Sequence, residues 1–144
     1  MRIEPVTQET FSQAARVYGE SWRESHRQVC SSDFLRQRDC DAYLKQRMDG
    51  LYIILDDAPV GVFRLKEGIL SDLYIHPAYS GKGYGSACVA FAKKKAGQLL
   101  LTVLSSNEEA IGFYRKRGFR FTFKDSPLKN GLWEREMEYT EKSQ

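Results

Sequence analysis

Apolar and polar positions change rhythm twice along this chain. "MRIEPV" reads as a short strand, and Thr7 is placed to cap a first helix with Glu9 in its opening turn, running to about Trp22. From Ser21 to Gly50 the chain is polar and arginine-rich, but Phe34, Leu35, Tyr43, Leu44 and Met48 recur at helical spacing, with Gly50 as a stop; this predicts one or two helices. The period then shortens. "LYIIL", "VGVFRL" and "ILSDLYI" are short apolar runs separated by "DDAP" and "KEG" and ended by Pro77, which predicts an antiparallel meander over residues 51–76. The helical period returns after Tyr84, with Tyr84, Ala87, Cys88, Phe91 and Ala92 on one stripe and Lys93, Lys94 and Lys95 on the wet side. "QLLLTVL" is unbroken and predicts a strand covered on both faces. "SSNEEAIGFYRKRGF" predicts a helix with Ser106 and Glu109 as a capping box and Gly118 as the left-handed residue past its end. "FRFTF" and "LWEREMEY" alternate and predict a closing hairpin, whose last strand is left open to a partner if it does not close on itself. This order implies a mixed α/β (α+β) fold. A central, mainly antiparallel sheet of about six to seven strands is flanked by about four helices, in a single domain over residues 1–144.

Composition narrows the function classes. Apolar residues at 42% and charged residues at 28% describe a globular chain with its own core. Three cysteines, widely spaced and without a C-x-x-C, suggest neither a disulfide framework nor a metal site and fit a reducing, cytoplasmic setting. The N-terminus carries charge and no apolar core, so no secretory leader is expected, and no run approaches the ~20 apolar residues of a membrane span. A net charge of +3 is too mild to imply nucleic acid as a partner.

The candidate chemistry begins at "YSGKGYGSA", residues 79–87. It is not a P-loop, because Lys82 precedes Gly83 and no Gly-Lys-Ser/Thr follows. Nor is it a dinucleotide loop: the last glycine of G-x-G-x-x-G falls on Ser86 or Cys88, and no acid follows at the right distance. Yet Gly81, Gly83 and Gly85 allow backbone N–H groups to converge, and the helix from Tyr84 adds free amides and its positive dipole end. Lys82 adds a charge and Ser86 a hydroxyl. Two readings stand: a pyrophosphate cradle, or a tight turn whose glycines serve sterics alone. Further on, Asn107 and Tyr114 lie seven residues apart on one helical face.

Two segments together, "LYIHPAYSGKGYGSA" and "LTVLSSNEEAIGFYRKRGF", resemble the GCN5-related N-acetyltransferase (GNAT) superfamily. The first resembles its [QR]-x-x-G-x-[GA] coenzyme A loop, with Ser80 standing where the family has Gln or Arg. The second resembles its N-x-x-A-x-x-F-Y-x-x-x-G-F helix at Asn107, Ala110, Phe113, Tyr114, Gly118 and Phe119. The resemblance implies the GNAT fold and an acetyl-CoA-dependent transfer to a primary amine by direct attack. It further implies main-chain pairing of Leu73, Tyr74 and Ile75 with the pantetheine arm, and pyrophosphate on Gly81, Lys82, Gly83, Tyr84, Gly85 and Ser86. Asn107 is then a contact to the cofactor arm and Tyr114 the general acid.

For each group a plainer role stands beside the functional one. Tyr114 is an acid for the leaving thiolate or a core aromatic. Asp72, out of phase with Leu73 and Ile75, is a candidate base or the partner of one of the many arginines. His26 is the runner-up base, and His76 is expected to face solvent. The cysteines have no base near them in sequence, which disfavours a covalent acetyl-cysteine. Trp22 and His26, four apart, form a face for an acceptor, and Arg23 and Arg27 are placed to receive a carboxylate or to lie on the surface. The acceptor is read as a small-molecule amine before a protein amine, with no nucleic-acid or membrane partner, in a monomer or homodimer. The alternative is a non-catalytic acyl-CoA sensor.

Overall fold

The computed structural model describes residues 1–27 and 30–141 and divides into two compact units, Met1–Lys66 with Asp72–Cys88 and Glu67–Ser71 with Val89–Gln144. The fold is mixed α/β. Among the described residues it has eight strands, two of them only two residues long, and five α-helices, one more helix than the sequence pattern predicts.

In the first unit β1 (Arg2–Pro5) pairs antiparallel with β2 (Leu51–Leu55), and β2 with β3 (Pro59–Lys66), Leu51 facing Arg64. Next to β3 lies β4 (Ile69–Ile75), of which Asp72–Ile75 belong here. The meander thus stands as predicted. Helix α1 (Phe11–His26) runs four residues past Trp22. Its N-cap is Thr10 rather than Thr7, and no side chain caps it; the Thr7 amide instead donates to Thr10 Oγ1 at 2.9 Å, so Glu9 precedes the helix. The arginine-rich stretch holds two short helices, α2 (Ser32–Gln37) and α3 (Cys40–Lys45). Each is started by a side-chain cap, Ser31 for the Phe34 amide and Asp39 for the Ala42 amide. Gly50 does not stop α3, which ends earlier. It sits at φ +85°, where a Cβ would lie 2.5 Å from the Leu65 carbonyl oxygen, so the approach of β3 excludes any side chain. Ala14, Ala15, Val17, Tyr18 and Trp22 form the buried stripe of α1 and pack with Cys40, Leu44, Leu51, Ile53 and Val62.

In the second unit Ile69 of β4 pairs in parallel with Leu100 of β5 (Gln98–Leu104), and β5 pairs antiparallel with β8 (Trp133–Thr140) along its whole length. The other edge of β8 carries β6 (Arg120–Phe121) and β7 (Ser126–Pro127). The last strand is therefore paired along its whole length on one side and at Trp133, Glu134, Met137 and Glu138 on the other. Strand β5 is fully covered on one face only: Leu99, Leu101 and Val103 are buried, while on the other face Leu100 is half-buried and Thr102 and Leu104 are exposed, so its unbroken apolar run overstates its burial. Helix α4 (Tyr84–Ala96) has a second correction. Lys93 is half-buried, its ammonium 4.2 Å from the centre of the Tyr139 ring and donating to the Arg117 carbonyl; desolvation, with Arg117 nearby, pushes its pKa down. Helix α5 (Glu108–Arg115) precedes β6.

Gly61 sets how closely β3 and β4 approach. A Cβ there would meet Ile75 Cδ1 at 2.6 Å and the Tyr74 carbonyl oxygen at 2.9 Å, and the backbone atom cannot move aside. Gly112, inside α5, has nothing within 4 Å. The same substitution should therefore act in opposite senses. Gly61→Ala is expected to lower stability by about 1–3 kcal/mol through overpacking. Gly112→Ala should raise it by about 0.5–1 kcal/mol through helix propensity. Denaturant unfolding of both variants checks the pair.

Candidate active site

The glycine loop is held from below by a histidine. Pro77–Tyr79 form a single 3-10 turn, capped by His76, whose Nδ1 accepts the Ala78 amide at 3.1 Å. Its Nε2 therefore carries the proton and donates to Glu20 Oε1 at 2.8 Å. His76 is half-buried and engaged at both nitrogens, not turned to solvent as the sequence suggested. Gly81 and Gly83 then adopt φ +75° and +87°, and a Cβ on either would project into open space. Only glycine takes these angles without strain, and the backbone it leaves bare faces room for a ligand. The Gly83 carbonyl takes the Ala87 amide at 3.1 Å as α4 begins. The amides of Tyr84 and Gly85 belong to the first turn, which has no helical acceptor for them. Gly85 is thus the second residue of the helix rather than a loop residue. Tyr84 pins this turn by donating to Asp56 Oδ2 at 2.6 Å, a bond that holds the Asp56 carboxyl below its ordinary range. Lys82 is exposed, 5.7 Å from the Tyr79 ring, and Ser86 is half-buried. Ser80 spends its hydroxyl on the Pro77 carbonyl at 3.1 Å. The loop fits a pyrophosphate: backbone amides at positive-φ glycines, a helix start and one exposed cation.

On β4, Asp72 has φ +53°, which breaks the strand's alternation, so its phase could not be read across that point. Its carboxylate accepts from the Tyr43 hydroxyl at 2.9 Å and from Arg47 Nε at 2.8 Å, with only 11% of the side chain exposed. Leu73, Tyr74 and Ile75 follow, each half-buried. The Tyr74 ring meets Tyr18 edge-on at 5.3 Å, and Tyr18 stacks on Tyr43 at 5.6 Å. Burial pushes the Tyr74 hydroxyl up to about 12 and raises Tyr18 and Tyr43 as well, so all three stay protonated.

Trp22 and His26 do share a face: their rings stack at 4.2 Å. Trp22 is only 6% exposed, however, and its ring also lies 4.0 Å from the guanidinium of Arg38. Arg38 is the residue that sequence reading missed. It sits between α2 and α3, where no periodicity marks it among its arginine neighbours. The acceptor segment read from the sequence includes residues 28 and 29, which lie outside the described residues.

In the second unit, Asn107 is the N-cap of α5. Its Oδ1 accepts the Ala110 amide at 3.1 Å, which replaces the predicted Ser106–Glu109 box. The far end closes as a Schellman turn. Phe119 N–H bonds the Tyr114 carbonyl and Gly118 N–H the Arg115 carbonyl, both at 3.1 Å, with Gly118 at φ +91°. Tyr114 packs on Phe119 at 5.3 Å, the apolar contact such a turn carries, and on Phe113 at 5.1 Å. Among the described residues, no group of three or more His, Cys, Asp or Glu is placed to hold a metal, and no helix is long and apolar enough to cross a membrane.

The family model of the acetyltransferase (GNAT) domain matches residues 48–121, just over half of the chain, taking in the meander, the glycine loop and α5. The chain belongs to the GNAT acetyltransferase family. Peptidyl-lysine N-acetyltransferase YjaB of Escherichia coli (strain K12) is 39% identical over 66 residues, 46% of this chain and 45% of that protein. Peptidyl-lysine N-acetyltransferase YiaC of the same organism is 30% identical over 88 residues, 57% and 60% of the two. The chain thus matches about half the length of these curated relatives. Among solved structures, apo YjaB from Escherichia coli aligns with a TM-score of 0.76 at 23% identity over 96% of both chains. The paia N-acetyltransferase from Thermoplasma acidophilum, solved with coenzyme A, aligns at 0.71 and 20% over 96% of this chain and 98% of that one. These two likenesses show the GNAT fold.

The loop geometry makes a prediction of its own. Gly83→Ala forces a side chain into the left-handed region at a cost of about 1–2 kcal/mol. Because a Cβ there meets no protein atom, the fold should tolerate it while the loop relaxes. Coenzyme A affinity should fall about tenfold with little change in far-UV circular dichroism, measured by calorimetric titration.

Proposed function

We propose that this chain is an acetyl-CoA-dependent N-acetyltransferase acting on a primary amine by direct attack. The observation that carries the reading is the glycine loop at the start of α4, two positive-φ glycines over open space, inside the stretch that the family model matches. Gly81, Lys82, Gly83, Tyr84, Gly85 and Ser86 would hold the pyrophosphate, and Leu73, Tyr74 and Ile75 would run beside the pantetheine arm. Asn107, whose Oδ1 is spent on its cap, would offer its amide N–H₂ to the cofactor arm.

The amine nitrogen forms its bond to the acetyl carbon as the C–S bond breaks. The sulfur leaves with the electron pair and takes a proton from the Tyr114 hydroxyl, and the nitrogen sheds one proton to water. A phenol is an O–H donor at neutral pH and suits that task. Asp72 is the candidate base from sequence, but both its oxygens are engaged, so the geometry supports a positioning role for it towards Arg47 and Tyr43. Cys40 and Cys88 are buried, and burial pushes both thiols up, Cys88 to about 12, which makes either a poor nucleophile. A small-molecule amine is the favoured acceptor; the names of the curated relatives support a protein lysine as the second reading.

A thermal melt tests the cofactor. A ligand at ~100 times its Kd adds ~2.7 kcal/mol, several degrees for a chain of this size. Acetyl-CoA and coenzyme A should raise the midpoint, and ATP and NADH should not. Tyr114→Phe should lower kcat about 100-fold with the acetyl-CoA shift intact; unchanged turnover would leave Tyr114 as a packing residue. Asp72→Asn should lower the midpoint and reduce kcat less than tenfold, whereas a base at that position would cost 100-fold or more. A shift with acetyl-CoA but no turnover of any amine would favour the sensor.

A further inference from the structure

Among the described residues Arg38 forms no ion pair. It lies in the link between α2 and α3, with φ −70° and ψ 124°. Its guanidinium carbon is 4.0 Å from the centre of the Trp22 ring, 4.6 Å from Tyr43 and 5.6 Å from Tyr18. Nη2 donates to the Tyr18 hydroxyl at 2.9 Å. Nη1 is buried and has no hydrogen-bond partner. Among the described residues no carboxylate pairs with it. Asp72, the acid of the same cluster, is engaged by Arg47 and Tyr43, and Asp39 caps α3. The phenols around it are neutral and bring no charge. Ring faces stabilise a guanidinium but do not satisfy its N–H groups, and a buried donor left unpaired is costly. A guanidinium with an unspent N–H can answer an anion such as a carboxylate.

Its place says which anion. Tyr18 and Tyr43, which surround Arg38, touch Tyr74 and Asp72, on either side of Leu73. In the acetyltransferase reading, on which this inference rests, that stretch of β4 runs beside the acyl donor. An anion on Arg38 is therefore part of the acceptor. A carboxylate matches the flat guanidinium fork and the flat rings around it.

We propose that Arg38 receives the carboxylate of the acceptor, so that the substrate is a small amine bearing a carboxylate, of the free amino-acid type, and not a lysine side chain within a protein. A peptide-bound lysine has neutral amides where the free amino acid has its charge, and it would leave Arg38 unanswered.

The test uses the full chain with saturating acetyl-CoA and matched acceptors: free amino acids, their amides and their decarboxylated amines, phenylalanine and lysine families among them. In the unaltered protein kcat/KM should favour the free acid about 10- to 100-fold. In Arg38→Gln that preference should fall to within about threefold, and Arg38→Lys, which keeps the charge without the fork, should fall between. Comparing ratios between proteins cancels the intrinsic reactivity of each amine. Equal use of acid and neutral forms by the unaltered protein, or a preference that survives both substitutions, overturns the proposal. If no amine in the panel is acetylated, the melt decides: with coenzyme A present, 3-phenylpropionate but not its amide should stabilise the unaltered protein, and neither should stabilise Arg38→Gln. No difference there also overturns it. The acetyl-CoA shift separates the two readings. A shift without carboxylate preference removes Arg38 alone, and no shift in the unaltered protein removes the acetyltransferase reading beneath it.

Discussion

The half-buried carboxylate of Asp72 ties the helical part of the first unit to its sheet. Strand β4 reaches Asp72 and turns into positive φ, and there the side chain meets Tyr43 of α3 and Arg47 just beyond it. A carboxylate with 11% exposure is tolerated because a guanidinium and a phenol answer both oxygens. Helix α3 is six residues long and would not persist alone. What fixes it is this anchor together with Cys40 and Leu44, which are buried against α1 and β2 residues. The aromatic cluster of Tyr18, Tyr43 and Tyr74 closes over the same point, so this side of the unit inherits its geometry from one ion pair.

The second unit orders its helix by punctuation at both ends. Asn107 begins α5 and Gly118 ends it, and both are letters of the family motif. The conformational work accounts for much of that pattern. Asn caps, Gly takes the left-handed turn, and Phe119 returns to pack on Tyr114. A phenol one turn from a frayed helix end would wander; the Schellman turn and the ring contact hold Tyr114 in one orientation. A role for Tyr114 in proton transfer and a role in packing are therefore not rivals, because the packing is what would aim the hydroxyl.

The legible parts of the sequence were those set by local rules. The meander, the glycine loop, the Tyr84 helix start and the Gly118 turn each follow from residue type and spacing over a few positions. Failures came where distant residues decide. Thr7 looks like a cap, but the chain places Thr10 there. Strand β5 reads as doubly covered because Leu100, Thr102 and Leu104 resemble their buried neighbours, and only tertiary packing distinguishes the faces. Lys93 joined the wet face by composition, yet an aromatic ring and a carbonyl draw it inward. Arg38 was invisible for the same reason: its neighbours come from α1 and α3, and an arginine in a short extended link carries no pattern. The assignment of Asp72 failed in phase because one residue of positive φ resets the alternation beyond it.

These placements bear on the proton that a direct attack must remove. On the proposed reading an amine enters beside Tyr18, Tyr43 and Tyr74, whose hydroxyls burial keeps neutral. Asp72 is committed to Arg47, so the cluster offers no free carboxylate to stabilise an ammonium. A carboxylate on Arg38 would cancel that charge and leave the cluster close to neutral. Desolvation then acts on the amine without opposition, and desolvation favours its uncharged form. The free base is the nucleophile, so a site with its acid paired away relieves the need for a dedicated base, and the same pairing that removes Asp72 from proton transfer makes the amine easier to deprotonate.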